Sequence, residues 1–118
     1  MQRTVFLTGA SGGIGQAIAA RLTAAGLTIL GFDTQAPGTL SSLTGFTAVD
    51  VSDSAALTAA FTSAAEQYGA PAHLVVAAGV IITGRIEDTT QEDAHRAFAA
   101  NTFGAVSYTH LTLPTTPY

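Results

Sequence analysis

The chain has 118 residues, 47% of them hydrophobic and 10% charged, which is enough apolar content for a packed core and rules out disorder by composition. Its net charge is −4 and its four basic residues, all arginine, stand apart, so a nucleic acid finds no electrostatic footing. Without cysteine there is no disulfide and no thiolate metal site, and the longest apolar stretch, 74–82, is far too short to cross a bilayer.

Residues 3–8 (RTVFLT) are apolar and β-branched and run straight into glycines, which predicts a buried strand. From Gly13 to Ala25 the spacing turns helical, with Ile14, Ile18 and Leu22 on one stripe and Gly26 closing the helix. A second strand is predicted over 27–32 (LTILGF), followed by Asp33 and a Pro/Gly/Ser-rich connection through Ser42; a third covers 45–49. Ser52 or Asp53 can cap a helix reaching about Tyr68, with Leu57, Ala60, Phe61 and Ala64 turned inward. The fourth strand, 72–77 (AHLVVA), is apolar enough to be covered on both faces. A last helix opens at Thr90 with Asp93 three residues on, a capping box using Asp in place of Glu. Ala97, Phe98 and Asn101 lie along it, and Phe98 is assigned to the core. This alternation predicts an α/β fold, a Rossmann-type doubly wound parallel sheet, truncated after its fourth strand and the following helix. Ending there leaves the fourth strand as an exposed edge.

Between the first strand and first helix stand Gly9, Ser11, Gly12, Gly13, Ile14 and Gly15. A tight turn that sets backbone N–H groups and a helix start against a pyrophosphate leaves no room for a Cβ at its closest points. Glycines also close strands without any ligand, and an acid can simply cap a turn. Here the cluster follows a strand, opens a helix, and is succeeded at the end of the second strand by Asp33. A carboxylate there accepts both ribose hydroxyl hydrogens of NAD and repels the 2′-phosphate of NADP, and no basic residue stands nearby to receive that phosphate. The expected cofactor is NAD.

The pattern Thr8-Gly-x-x-x-Gly13-x-Gly15 resembles the fingerprint of the short-chain dehydrogenase/reductase family. Asp50-Val51 is similar to that family's adenine-contacting pair. Ala77-Ala78-Gly79 resembles the tail of its Asn-Asn-Ala-Gly motif, and Asn101-Thr102-Phe103-Gly104 resembles the Asn-x-x-Gly that carries its catalytic asparagine. The resemblance implies that Asn101 supports a proton relay and that Asp50, Val51, Ala77, Ala78 and Gly79 line a cofactor groove. It also implies a small-molecule substrate, a secondary alcohol or ketone, and a homo-oligomeric parent. Val76 and Ala77 replace the family's two asparagines, the first of which normally braces the neighbouring strand. Gly31-Phe32-Asp33, 77–80 and Glu92-Asp93 are similar to 2,3-dihydro-2,3-dihydroxybenzoate dehydrogenases, which oxidise a cyclic dihydrodiol.

The family's catalysis uses a tyrosine, a lysine four residues later that lowers the tyrosine's pKa, and a serine that orients the substrate oxygen. Tyr108 is the tempting tyrosine, but Thr112 stands where the lysine belongs, and the chain holds no lysine anywhere. This polypeptide alone is therefore expected to be inactive. Residues 106–115 break the helix of Asn101 with β-branched, Pro-containing text that resembles one reading frame of a transposon-end sequencing adapter. Residues 1–105 are thus read as the NAD-binding half of a domain and 106–118 as a non-native tail. A natural tail would favour a second reading, a non-catalytic NAD-binding sensor.

His73, His95 and His110 share no ligand spacing, so no metal site is expected. Glu87, Asp88, Glu92 and Asp93 suit a helix start. Arg85 can reach an anionic substrate or stand solvated. The N-terminus does not resemble a signal peptide, and a cytoplasmic protein that binds no membrane is expected.

Overall fold

A computed structural model of the chain describes residues 3–38, 42–80 and 83–103. The strands are β1 (Thr4–Thr8), β2 (Thr28–Asp33), β3 (Gly45–Ala48) and β4 (His73–Val76). The helices are α1 (Gly13–Ala24), α2 (Ser54–Tyr68) and α3 (Gln91–Phe98), with a 3-10 turn at Ile86–Asp88 and a π-helical turn at Ala99–Phe103. All strand pairs are parallel, in the order β3-β2-β1-β4. The segment read as a non-native tail, together with Gly104, Tyr108 and Thr112, lies outside the described residues.

Alternation along β1 feeds two cores. Val5 and Leu7 point to the α1 side, where they join Ala10, Ala19 and Ile29. Phe6 points to the α2 side and joins Leu30, Phe32, Val49, Val51, Leu57, Ala60, Phe61 and Ala64. The rings of Phe6, Phe32 and Phe61 meet with centroids 5.2, 5.0 and 4.7 Å apart, all tilted or edge-on, the arrangement that aromatic quadrupoles favour. Burying each such ring contributes about 2–3 kcal/mol, so this trio anchors α2 to the sheet. The four residues of α2 read as inward-facing are the four that are buried.

The helix ends follow local chemistry. Of the two candidates before α2, Asp53 is the cap: its Oδ1 accepts the Ala56 N–H at 3.1 Å. Thr90 and Asp93 form the reciprocal capping box of α3. After α1, the Gly26 N–H donates to the Thr23 carbonyl and the Leu27 N–H to that of Leu22, the paired bonds of a Schellman ending.

Two core assignments need correction. The stripe of α1 divides: Ile18 and Leu22 pack against the α1-side core, whereas Ile14 is 75% exposed. The helix meets the sheet through Gly15 and Ala19, and this close approach turns Ile14 onto the flank. Phe98 is 59% exposed rather than core, because no residue of α3 is buried against the described body. β4 is also less covered than an inner strand, half-buried at Leu74 and Val75 and exposed at His73 and Val76. Among the described residues it is an outer strand of the sheet.

Candidate functional site

The carboxyl ends of β1, β2 and β4 open onto one groove of about 190 Å³. Its walls come from Gly9 and Gly12 after β1, from Asp33 and Thr34 at the end of β2, from 49–51 after β3, and from 77–80 after β4. Ala100, in the π-helical turn, adds a last contact. Crevices of this kind, at the strand ends where the helices change sides, are where open α/β sheets take ligands.

The turn after β1 exists because of two glycines. Gly9 has φ +71°, and a Cβ there would lie 2.5 Å from the backbone of Ala77 and Ala78. A Cβ on Gly15 would lie 1.9 Å from the Gly9 carbonyl oxygen. The first close approach brings β4's end against the turn; the second lets α1 start directly over it. Gly12 is the N-cap of α1, with no side-chain cap and no acid in the first turn. Among the described residues no side chain caps the first N–H groups of α1, in contrast to those of α2 and α3. This geometry fits an anion such as a pyrophosphate, and no side chain of the described residues caps the helix start.

Asp33 sits half-buried at the rim. Its Oδ2 accepts the Ser11 N–H at 3.0 Å and its Oδ1 accepts the Thr34 N–H at 2.7 Å. The Ser11 hydroxyl donates to the Gln35 carbonyl, and the Gln16 side-chain amide donates to the Ser11 carbonyl at 2.7 Å. In the neighbouring wall after β3, Asp50 Oδ1 accepts from the N–H and hydroxyl of Ser52, at 2.9 and 2.7 Å, which shapes the turn into α2. Val51 is both a groove wall and a core residue.

Asn101 lies beside the groove rather than in its lining. Its Oδ1 accepts the Val80 N–H at 2.6 Å and its Nδ2 donates to the Val80 carbonyl at 2.7 Å. A side-chain amide thus pairs with one backbone residue as a neighbouring strand would, and it ties the end of β4 to the π-helical turn. Arg85 forms an exposed ion pair with Glu87 at 2.7 Å. Asp93 is held below the usual aspartate range, chiefly by the Thr90 backbone N–H, then by the Thr90 hydroxyl, with Arg96 adding to both.

The structure brings together Gly9, Gly12, Asp33, Asp50, Val51, Ala77, Ala78 and Gly79. Ser11 stands behind the wall, bonded to Asp33, while Gly13 and Ile14 line a separate apolar groove on the outer flank of α1. Gly15 is buried. Thr34, Val49, Val80 and Ala100 were missed: each is a neighbour of a motif residue and carries no signal of its own.

Residues 3–116 match the family model described as short chain dehydrogenase. The oxidoreductase calM of Penicillium decumbens is 33% identical over 115 residues, covering 90% of this chain and 38% of its own length. The ligand-free aldohexose dehydrogenase of Thermoplasma acidophilum aligns with a TM-score of 0.87 at 28% identity, over 96% of this chain and 44% of its own. A short chain dehydrogenase from Leptospira borgpetersenii with bound NAD+ gives 0.87 at 21% identity, over 95% and 45%, a likeness of fold. The chain spans less than half the length of each of these relatives.

Proposed function

Given that the chain belongs to the short-chain dehydrogenase family, we propose that its groove holds NAD in preference to NADP and that the whole protein is an oxidoreductase acting on a secondary alcohol or ketone. A cyclic dihydrodiol is the substrate class favoured by the motif similarities of 31–33, 77–80 and Glu92-Asp93. The observation that carries the cofactor reading is the Asp33 carboxylate, fastened by the Ser11 and Thr34 N–H groups at the rim of a groove whose adjoining wall is the glycine turn.

The chemistry supplied by bound NAD is acceptance of a hydride at its nicotinamide ring. This chain's part is to bind and orient. The first N–H groups of α1 donate to the pyrophosphate, and no acidic side chain in that turn opposes it. The Asp33 carboxylate accepts the ribose hydroxyl hydrogens and, as a fixed negative charge, rejects a 2′-phosphate. Asp50, Val51, Ala78 and Gly79 form the walls against which the adenosine end lies. Asn101 holds Val80, and with it the end of β4, beside the place where the family's proton relay runs. The family's tyrosine–lysine pair has no counterpart in a chain without lysine, so turnover is not expected from these 118 residues alone. The rival, a module that binds NAD without catalysis, is favoured only if residues 106–118 are a natural tail.

The test is a titration of the chain with NADH and with NADPH, followed by nicotinamide fluorescence. NADH should bind at least about tenfold more tightly, the ratio expected when a fixed carboxylate faces an added phosphate. Equal affinities would overturn the NAD preference, and hydride transfer by this chain from any alcohol would overturn its inactivity.

A further inference from the structure

The turn that faces the groove, Gly9 to Gly12, has only Ala10 and Ser11 between its glycines, so it contains almost no side chain to hold it. Glycine-rich backbone loses more conformational freedom on ordering than any other, and a binding loop left loose pays that cost when its ligand arrives. Ser11 is the one residue of the turn with a polar side chain, and it is fastened three times. Its N–H donates to Asp33 Oδ2 at 3.0 Å, its hydroxyl donates to the Gln35 carbonyl, and its carbonyl accepts Gln16 Nε2 at 2.7 Å. The first two bonds tie Ser11 to the last residue of β2 and to the segment that follows it. Only the third ties it to α1, whose first turn Gln16 enters through its own N–H bond to the Gly12 carbonyl at 2.9 Å.

We propose that Gln16 is a positioning residue of the dinucleotide site, an inference that rests on the NAD reading of the groove. Its side-chain amide fixes the Ser11–Gly12 peptide plane against α1. The Ser11 N–H lies in the preceding peptide, joined to that plane through the Ser11 Cα, so anchoring the Ser11 carbonyl limits how far the N–H can swing away from the Asp33 carboxylate. Gln16 touches neither the groove nor the ligand; it acts through Ser11 and Asp33. It therefore governs both the affinity for NAD and the margin by which NADP is refused. Gln16 is exposed and packs into neither core, so the fold does not depend on it.

The experiment compares the unsubstituted chain with Gln16→Met, which keeps length and loses the donor, and Gln16→Lys, which restores a donor. Affinities for NADH and NADPH are read by fluorescence at high ionic strength, so that the lysine charge is screened. Exchange of the Ser11 amide hydrogen is read in the ligand-free chain. Gln16→Met should weaken NADH binding about three- to tenfold, the effect of one exposed hydrogen bond, and narrow the NADH-over-NADPH ratio. It should also speed exchange at Ser11 without moving the melting midpoint by more than about 1–2 °C. Gln16→Lys should recover the NADH affinity. If Gln16→Met leaves the ratio and the Ser11 exchange unchanged while NADH still binds, the inference falls and the NAD reading stands. If the unsubstituted chain binds neither dinucleotide, the NAD reading falls and the inference with it.

Discussion

Thr8 on β1 and Val76 on β4 are register partners in the parallel ladder, and the Thr8 hydroxyl, on a fully buried residue, has no hydrogen-bond partner among the described residues. Position 76 is where the family resemblance calls for an asparagine that braces the neighbouring strand. A valine side chain there offers neither donor nor acceptor, and a buried hydroxyl left unpaired costs about 1–3 kcal/mol. Thr8→Val keeps the shape and removes the unpaired group, so it should be neutral or stabilising by up to about 2 kcal/mol in a denaturant melt. A clear loss of stability would show that the hydroxyl is satisfied.

Two glycines of one motif should behave oppositely. Gly15→Ala places a Cβ 1.9 Å from the Gly9 carbonyl oxygen, a backbone atom that cannot move aside, and should cost about 2 kcal/mol or more. Gly13→Ala meets nothing within 4 Å and has ordinary helical backbone, so it should be neutral or stabilising by about 0.5–1 kcal/mol. Thermal melts of the two variants check the contrast. Equal destabilisation would mean that α1 does not sit over the turn as described.

The start of α3 should loosen in acid. The folded pKa of Asp93 lies below the usual aspartate value, chiefly because its carboxylate accepts the Thr90 N–H at 3.1 Å. A carboxylate depressed by folding contributes stability that is fully present above its unfolded pKa and is lost as pH falls through its folded pKa. Amide exchange at Thr90 should therefore accelerate as pH falls below the usual aspartate range, after correction for intrinsic rates. Asp93→Asn should flatten that dependence, and an unchanged profile would count against the capping box.

Among the described residues no strand pairs with the outer edge of β4, and that edge should make the isolated chain self-associate. Val76, on that outer strand, is 44% exposed, and Phe98 on α3 is exposed as well. Such edges recruit other strands, and a charge on them blunts the tendency. Val76→Lys should shift the chain toward monomer in size-exclusion chromatography. A chain already monomeric and sharply cooperative in its melt would show that the edge is harmless.

Reading residues 106–118 as adapter text implies that the source locus departs from this sequence after the codon for Ala105. Long-read sequencing across that codon should reveal a frame that continues to a serine and a Tyr-x-x-x-Lys. A genomic copy of the tail followed by a stop codon would instead favour the NAD-binding module without catalysis.

The sequence alone determined the element order, the burial of β1, the inward face of α2, the capping box at Thr90 and most of the groove's lining. These are local matters: side-chain alternation, cap spacing and glycine placement act within a few residues. It also singled out Asp33, because an acid at the end of the second strand answers to the glycine turn. What only the tertiary structure decided is which partners each residue meets. Ile14 and Phe98 are apolar and correctly spaced for burial, yet they are exposed because burial needs a facing surface as well as a stripe. Gln16 reads as an ordinary polar helix residue until the fold sets the Ser11 carbonyl in its reach. Thr8 reads as an ordinary strand residue until the register sets Val76 beside it. Pairings between distant residues depend on how whole elements pack, and no local pattern encodes them.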